Sequence, residues 1–280
     1  MPAPPLPDLI TTEWLAAKLS GVVVLDATWF VPTERRVAAA EYTTAHIPGA
    51  AWFDIDAIAD KNTSLPHMLP DARTFAQAIG ALGVGNGDRV VVYDRNAMTC
   101  AARVWWTLRV FGHDAVAVLD GGFGKWTAEG RKVEAGKVVP APKAFSAQWR
   151  SDLVANLPWV EAASRRGRWQ LVDARTAGRF HGTEPEPRPG LRGGHIPGAK
   201  NLPFRALLNE DGTLLSSIDL RRRFADAGVD TAKPVVAMCG SGVTASLVAF
   251  ALHHLGAREA AVYDGSWVEW GGRPDTAVAT

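Results

Sequence analysis

HIPGA at residues 46–50 returns as HIPGA at residues 195–199, 149 positions later. A five-residue word repeated at such a distance makes an internal repeat the first question to ask of the chain. Three further landmarks recur in the same order. The strand ends LDA (25–27) and VDA (172–174) set Asp26 147 residues before Asp173. The runs VVVYD (90–94) and VVAMC (235–239) set Asp94 145 residues before Cys239. VLDGGFGKW and VYDGSWVEW set Asp120 144 residues before Asp264, each followed six residues on by Trp126 or Trp270. Four matches in register, with small changes in spacing, mark a duplicated domain.

Each copy alternates short Val-rich runs with longer stretches of helical period, the pattern of a parallel sheet covered by helices. Strands are expected at 22–25, 90–93 and 115–119, and again at 170–172, 235–238 and 260–263. Helices are expected at 12–19, 72–82, 101–111, 158–165, 220–227 and 244–255, with Gly112 and Gly256 where a glycine closes a helix. Residues 130–142, GRKVEAGKVVPAP, hold neither period and carry Gly and Pro, so they read as the linker. The expected domains are 1–142 and 143–280, both α/β, and at about 150 residues per domain the 280-residue length agrees with two.

With 47% hydrophobic and 21% charged residues, each half has the means to bury a core. Thirty basic against twenty-nine acidic side chains leave a formal charge of +1, so no global field draws in nucleic acid or an anionic membrane. The opening MPAPPLPDLI lacks a basic region followed by an apolar stretch, and no apolar run reaches the length of a membrane span. The expectation is a cytoplasmic protein with neither nucleic acid nor membrane as partner. The eleven tryptophans, Trp105, Trp106, Trp267 and Trp270 among them, read as packing.

The two cysteines, Cys100 and Cys239, are too few for a disulfide scaffold and suit no zinc site. Cys239 ends a hydrophobic strand and precedes Gly240, Ser241, Gly242, Val243 and Thr244 before an apolar helix. Two glycines let such a loop turn its N–H groups inward at the positive end of the helix dipole, an arrangement that holds an anion and favours a thiolate. Cys100 sits near the start of an apolar helix with no such loop and reads as packing.

The duplicated domain, with HIPGA in both copies, the cysteine loop in the second and DGSWVEW near the end, resembles the two-domain rhodanese-like sulfurtransferases. The combination of CGSGVTA with GTEPEPR is similar to the members that act on 3-mercaptopyruvate. The resemblance implies an inactive first copy, with Asp94 at the cysteine's place, and a catalytic second copy, with the active site between the domains. It implies that Cys239 takes sulfur from 3-mercaptopyruvate as a persulfide, releases pyruvate and passes the sulfur to cyanide or a thiol, with thioredoxin or a small thiol as acceptor and no metal or organic cofactor.

Residue by residue, the resemblance assigns Arg179 and Arg188 to the donor's carboxylate and keto oxygen, a task the planar guanidinium suits. Gly240, Gly242, Val243 and Thr244 line the donor, and Asp56, His67 and Ser241 form a proton relay. Taken alone, these residues read more plainly. Asp56 is then a helix cap, His67 a loop histidine, Ser241 a turn residue, and residues 178–192 a solvated loop whose arginines pair with Glu184 and Glu186. Arg192 reads as surface charge, and His181 has no role. His46 and His195 recur in both copies and read as structural.

Two rivals stand beside this reading. Thiosulfate-using relatives carry cations just after the cysteine, where this chain has Gly240 and Ser241, and a thiosulfate:cyanide sulfurtransferase would prefer the dianionic donor despite that. A persulfide carrier would need neither Arg179 nor Arg188. A phosphatase of related fold needs Arg six positions past the cysteine, where Ala245 stands.

Overall fold

The computed structural model describes residues 6–257 and 259–280. The first five residues of the MPAPPLPDLI opening, and with them the start of the expected 1–142 domain, lie outside the described residues. Two compact units form. The first takes the described residues up to Ala59, then Leu69–Arg150 and Glu210–Leu214; the second takes Asp60–Met68, Ser151–Asn209 and the described part of Leu215–Thr280.

In the first unit, β1 (Leu9–Ile10), β2 (Val23–Asp26), β3 (Ala51–Trp52), β4 (Val90–Tyr93) and β5 (Val116–Leu119) pair in parallel in the order β1-β5-β4-β2-β3. In the second, β6 (Val154–Ala155), β7 (Gln170–Asp173), β8 (Lys200–Asn201), β9 (Val235–Met238) and β10 (Ala260–Tyr263) repeat that order as β6-β10-β9-β7-β8, again parallel. Every residue of β4, β5 and β9 is buried. This is why these strands read as continuous apolar runs: a parallel sheet covered on both faces has no polar side to alternate with.

The six expected strands are β2, β4, β5, β7, β9 and β10. The two-residue edge strands β1, β3, β6 and β8 have too few residues to show a period and exist through their pairing with a longer neighbour. Four of the expected helices open on a side chain that accepts a backbone N–H, from Thr11, Asp71, Asn156 and Ser216. The helices Gly122–Ala128 and Ser266–Gly272 lie in the words that served as repeat landmarks and are not among the expected helices. Residues 131–150 lie along the first unit: the N–H groups of Lys143, Gln148 and Arg150 donate to Gly80, Phe111 and Val110 at 2.9, 2.9 and 2.8 Å. Among the described residues no helix is long and apolar enough to cross a membrane.

HIPGA does the same work in both units. His46 Nδ1 donates to the Tyr42 carbonyl at 2.9 Å with its ring stacked on Tyr42, and His195 Nδ1 donates to the Phe180 carbonyl at 2.9 Å with its ring stacked on Phe180. Their backbones pair with Glu134 and Ala279, so each histidine ties the end of its own domain to the start of the word.

Candidate active site

Cys239 follows β9 directly and is 2% exposed. The loop turns at Gly242, whose φ of +79° a side chain would resist, and feeds the helix Ala245–His254. The Cys239 carbonyl accepts the Trp267 N–H at 3.0 Å, the Gly240 carbonyl accepts the Val268 N–H at 2.9 Å, and the Cys239 N–H donates to Ser266 Oγ at 3.1 Å.

The first unit shows what such a loop holds. There the Asp94 carboxylate accepts the N–H groups of Asn96 at 2.9 Å, Met98 at 3.0 Å and Ala101 at 2.7 Å. Burial pushes the Asp94 pKa up, and those amides, with that of Cys100, pull against it. The 145-residue offset puts Ser241 and Val243 where Asn96 and Met98 stand. The first copy therefore fills its anion-binding loop with its own carboxylate, and the second copy puts a thiol there instead. Cys100, 1% exposed, has its thiol pKa pushed well up by burial, with the charge of Asp94 adding to the effect, as befits a packing residue.

Ser241 and His67 come together. His67, left-handed at φ +63° and 5% exposed, sets its Nδ1 2.9 Å from Ser241 Oγ. Because Asp60–Met68 folds with the second unit, this histidine belongs to the unit that holds Cys239 although it lies more than eighty residues before that unit's main stretch begins at Ser151. Asp56 lies in the first unit on the helix Ile55–Ile58, where it accepts the Trp29 indole N–H at 2.6 Å. It is not the cap of that helix. Asp54 is, accepting the Ala57 N–H at 3.0 Å.

Arg179 stands against the cysteine loop: a Cβ added to Gly240 would sit 3.1 Å from its Nη2. Its guanidinium is held by Glu186, with Nη2 and Nε 2.6 and 3.2 Å from the carboxylate oxygens. Glu186 also takes the Arg175 Nη1 at 2.7 Å, and Arg175 in turn grips Asp173 with Nε and Nη2 at 3.0 and 2.6 Å. Burial alone would lower the Arg175 pKa, but Asp173 and Glu186 together hold it above the ordinary arginine value. Two cations and two anions thus form a chain, buried at Asp173, Arg175 and the Glu186 side chain and partly exposed at Arg179, that ends beside Gly240. Of the solvated-loop reading of residues 178–192, the pairing of Arg179 with Glu186 holds but their solvation does not, whereas Glu184 is exposed as expected and accepts the Thr176 hydroxyl. Arg188 is half-buried in the same segment.

Arg192 is not a surface charge. Its guanidinium donates to the carbonyls of Gly271, Thr276 and Trp270 at 3.1, 2.9 and 3.0 Å, and its own carbonyl accepts the Trp267 indole N–H at 2.9 Å. It ties the last segment to the helix Ser266–Gly272. Arg175 and Ser266 escaped the sequence reading, and Glu186 was read only as a partner of the loop's arginines. The signal for Arg175 and Ser266 lay in the differences between the repeats, LDAT against VDAR and DGGF against DGSW.

If Arg179 and Arg188 hold the donor, each contributes charge-assisted hydrogen bonds of roughly 1.5–3 kcal/mol, so Arg179→Ala and Arg188→Ala should each lose about ten- to a hundredfold in kcat/KM. Arg188→Lys should recover part of the loss, since the ammonium keeps the charge without the fork. Unchanged steady-state kinetics in both alanine variants would remove these residues from the site.

Comparison with known proteins agrees with this architecture. The family described as rhodanese-like domain matches twice, at residues 11–129 and 156–273. The chain is 43% identical to the human 3-mercaptopyruvate sulfurtransferase over 94% of its own length and 91% of the human protein's. It is also 43% identical to the thiosulfate sulfurtransferase of Bos taurus over 97% of its own length and 95% of the bovine protein's. The crystal structure of SseA from Escherichia coli, described among the 3-mercaptopyruvate sulfotransferases, superimposes with a TM-score of 0.86 at 39% identity, covering 93% of this chain and 99% of that one. With both halves matched and both sheets in the same strand order, the chain belongs to the rhodanese-like sulfurtransferases as a tandem of two such domains.

Proposed function

We propose that this sulfurtransferase uses 3-mercaptopyruvate as its donor. Equal identity to relatives named for either donor leaves the choice to the site. The observation that carries the reading is the placement of the Arg179 guanidinium against Gly240, beside a loop that has no cation of its own. At about 4 Å and an effective dielectric near 20, one full charge is worth about 4 kcal/mol to another. A dianion carries two charges out of water, and a loop offering only amide dipoles and an arginine already shared with Glu186 sets too little positive charge against that cost. A monoanionic keto acid gains the fork of Arg179 without needing a second charge beside the cysteine.

In the proposed reaction the Cys239 thiolate attacks the donor sulfur. The carbon–sulfur bond breaks with its electron pair going to carbon, leaving the Cys239 persulfide and the enolate of pyruvate, which takes up a proton. The His67 to Ser241 contact supports these two residues as the path for that proton. A thiol, whether a small one or that of thioredoxin, then attacks the outer sulfur as its thiolate, and Cys239 leaves as a thiolate. Backbone amides from Gly240 to Thr244 steady the anionic sulfur during both steps. Free thiols at both cysteines suit a reducing compartment, and the cytoplasm is the proposed one.

Steady-state rates with 3-mercaptopyruvate and thiosulfate, measured side by side with one acceptor, test the donor. The higher kcat/KM is expected for 3-mercaptopyruvate; a preference for thiosulfate would make the chain a thiosulfate:cyanide sulfurtransferase. A protein that accepts sulfur from neither donor would be a persulfide carrier.

A further inference from the structure

Ser266 is fully buried and holds a left-handed backbone at φ +47°, a region in which a residue with a side chain is uncommon. The first copy carries Gly122 at the same place, at φ +54°, where an added Cβ would meet the Asp94 carbonyl oxygen at 2.5 Å. The catalytic copy therefore keeps a side chain where the fold itself is served by glycine. What the side chain adds is a pair of hydrogen bonds. Ser266 Oγ donates to the Tyr263 carbonyl at 2.7 Å and accepts the Cys239 N–H at 3.1 Å.

We propose that Ser266 is a positioning residue for the sulfur-transfer reaction, fixing the peptide unit on the N-terminal side of Cys239 so that its sulfur is aimed into the loop. The inference rests on Cys239 being the nucleophile, as proposed above. Both copies anchor the carbonyl of the key residue, Asp94 by the Phe123 N–H at 2.9 Å and Cys239 by the Trp267 N–H at 3.0 Å. Ser266 adds the second anchor, on the amide, so the peptide planes on both sides of Cys239 are held and only the side-chain torsion stays free. The chemistry of the two residues explains the difference. A carboxylate positions itself, since its two oxygens accept several N–H groups at once, as Asp94 does. Sulfur accepts hydrogen bonds weakly, so a cysteine in the same loop has to be aimed through its backbone.

The test compares Ser266→Gly and Ser266→Ala with the parent by melting temperature, by kcat and KM for sulfur transfer, and by the rate of iodoacetamide alkylation at Cys239. Ser266→Gly relieves the strain and removes the hydroxyl. It should keep the melting temperature within a few degrees while kcat falls about tenfold at little-changed KM, with slower alkylation. Ser266→Ala keeps the strain and should lose both kcat and stability. If Ser266→Gly retains the parent kcat and alkylation rate, or if its folded fraction does so despite a lowered melting temperature, the hydroxyl serves the fold alone and the inference is wrong. Cys239→Ser, run in parallel, separates the two readings: transfer surviving in that variant would remove the nucleophile assignment itself.

Discussion

Cys239→Ser should abolish sulfur transfer, with turnover falling on the order of a thousandfold or more, while Cys100→Ser keeps it. The two thiols are similarly buried, so burial does not separate them. Their surroundings do. Cys239 occupies the position at which the other copy's loop binds a carboxylate through three amides, whereas Cys100 lies beside that carboxylate, with its thiol 3.6 Å from the Trp29 carbonyl and its pKa pushed well up. A thiol held protonated next to a buried anion is a poor nucleophile. Equal loss in both variants would mean that Cys100 takes part, and rates measured on both proteins with the same donor and acceptor settle it.

The second large effect is expected at Arg175. Its side chain is fully buried between Asp173 and Glu186, and its guanidinium also lies over the Trp267 ring at 4.2 Å from the centroid. Removing one partner from a buried ionic network leaves the others uncompensated, at a cost of about 3–5 kcal/mol. Arg175→Met should therefore lower the melting temperature by roughly ten degrees. It should also impair transfer, because Glu186 would then be shared with nothing but Arg179. The first copy shows the alternative solution: Thr28 replaces the arginine, its hydroxyl and N–H bond Asp26 at 2.5 and 2.9 Å, and burial raises the Asp26 pKa. If calorimetry found the parent melting temperature in Arg175→Met, the ionic chain would be dispensable and Arg179 would owe its position to something else.

These residues also show which parts of the molecule are readable from sequence. The duplication, the parallel sheets and the cysteine loop follow from local patterns, namely apolar runs, repeated words and a glycine-rich turn between strand and helix. The edge strands do not, because Leu9–Ile10 is a strand only by virtue of Val118 and Leu119 beside it. His67 is legible as a histidine in a loop, but its membership of the second unit is a tertiary fact carried by no local pattern. Arg192 reads as a surface charge in the sequence, while in the structure its guanidinium donates to three carbonyls that no local pattern brings to it. Ser266 and Arg175 were visible as departures between the copies, and their meaning required knowing that the matching positions in the first copy are a strained glycine and an uncharged threonine.

The most direct test of the account is the mass of the Cys239 peptide after the protein has met 3-mercaptopyruvate with no acceptor present. One sulfur atom added at Cys239, with one pyruvate released per chain and the sulfur lost again on adding a thiol, is the predicted result. Sulfur on Cys100, or pyruvate released with no sulfur retained on the protein, would contradict it.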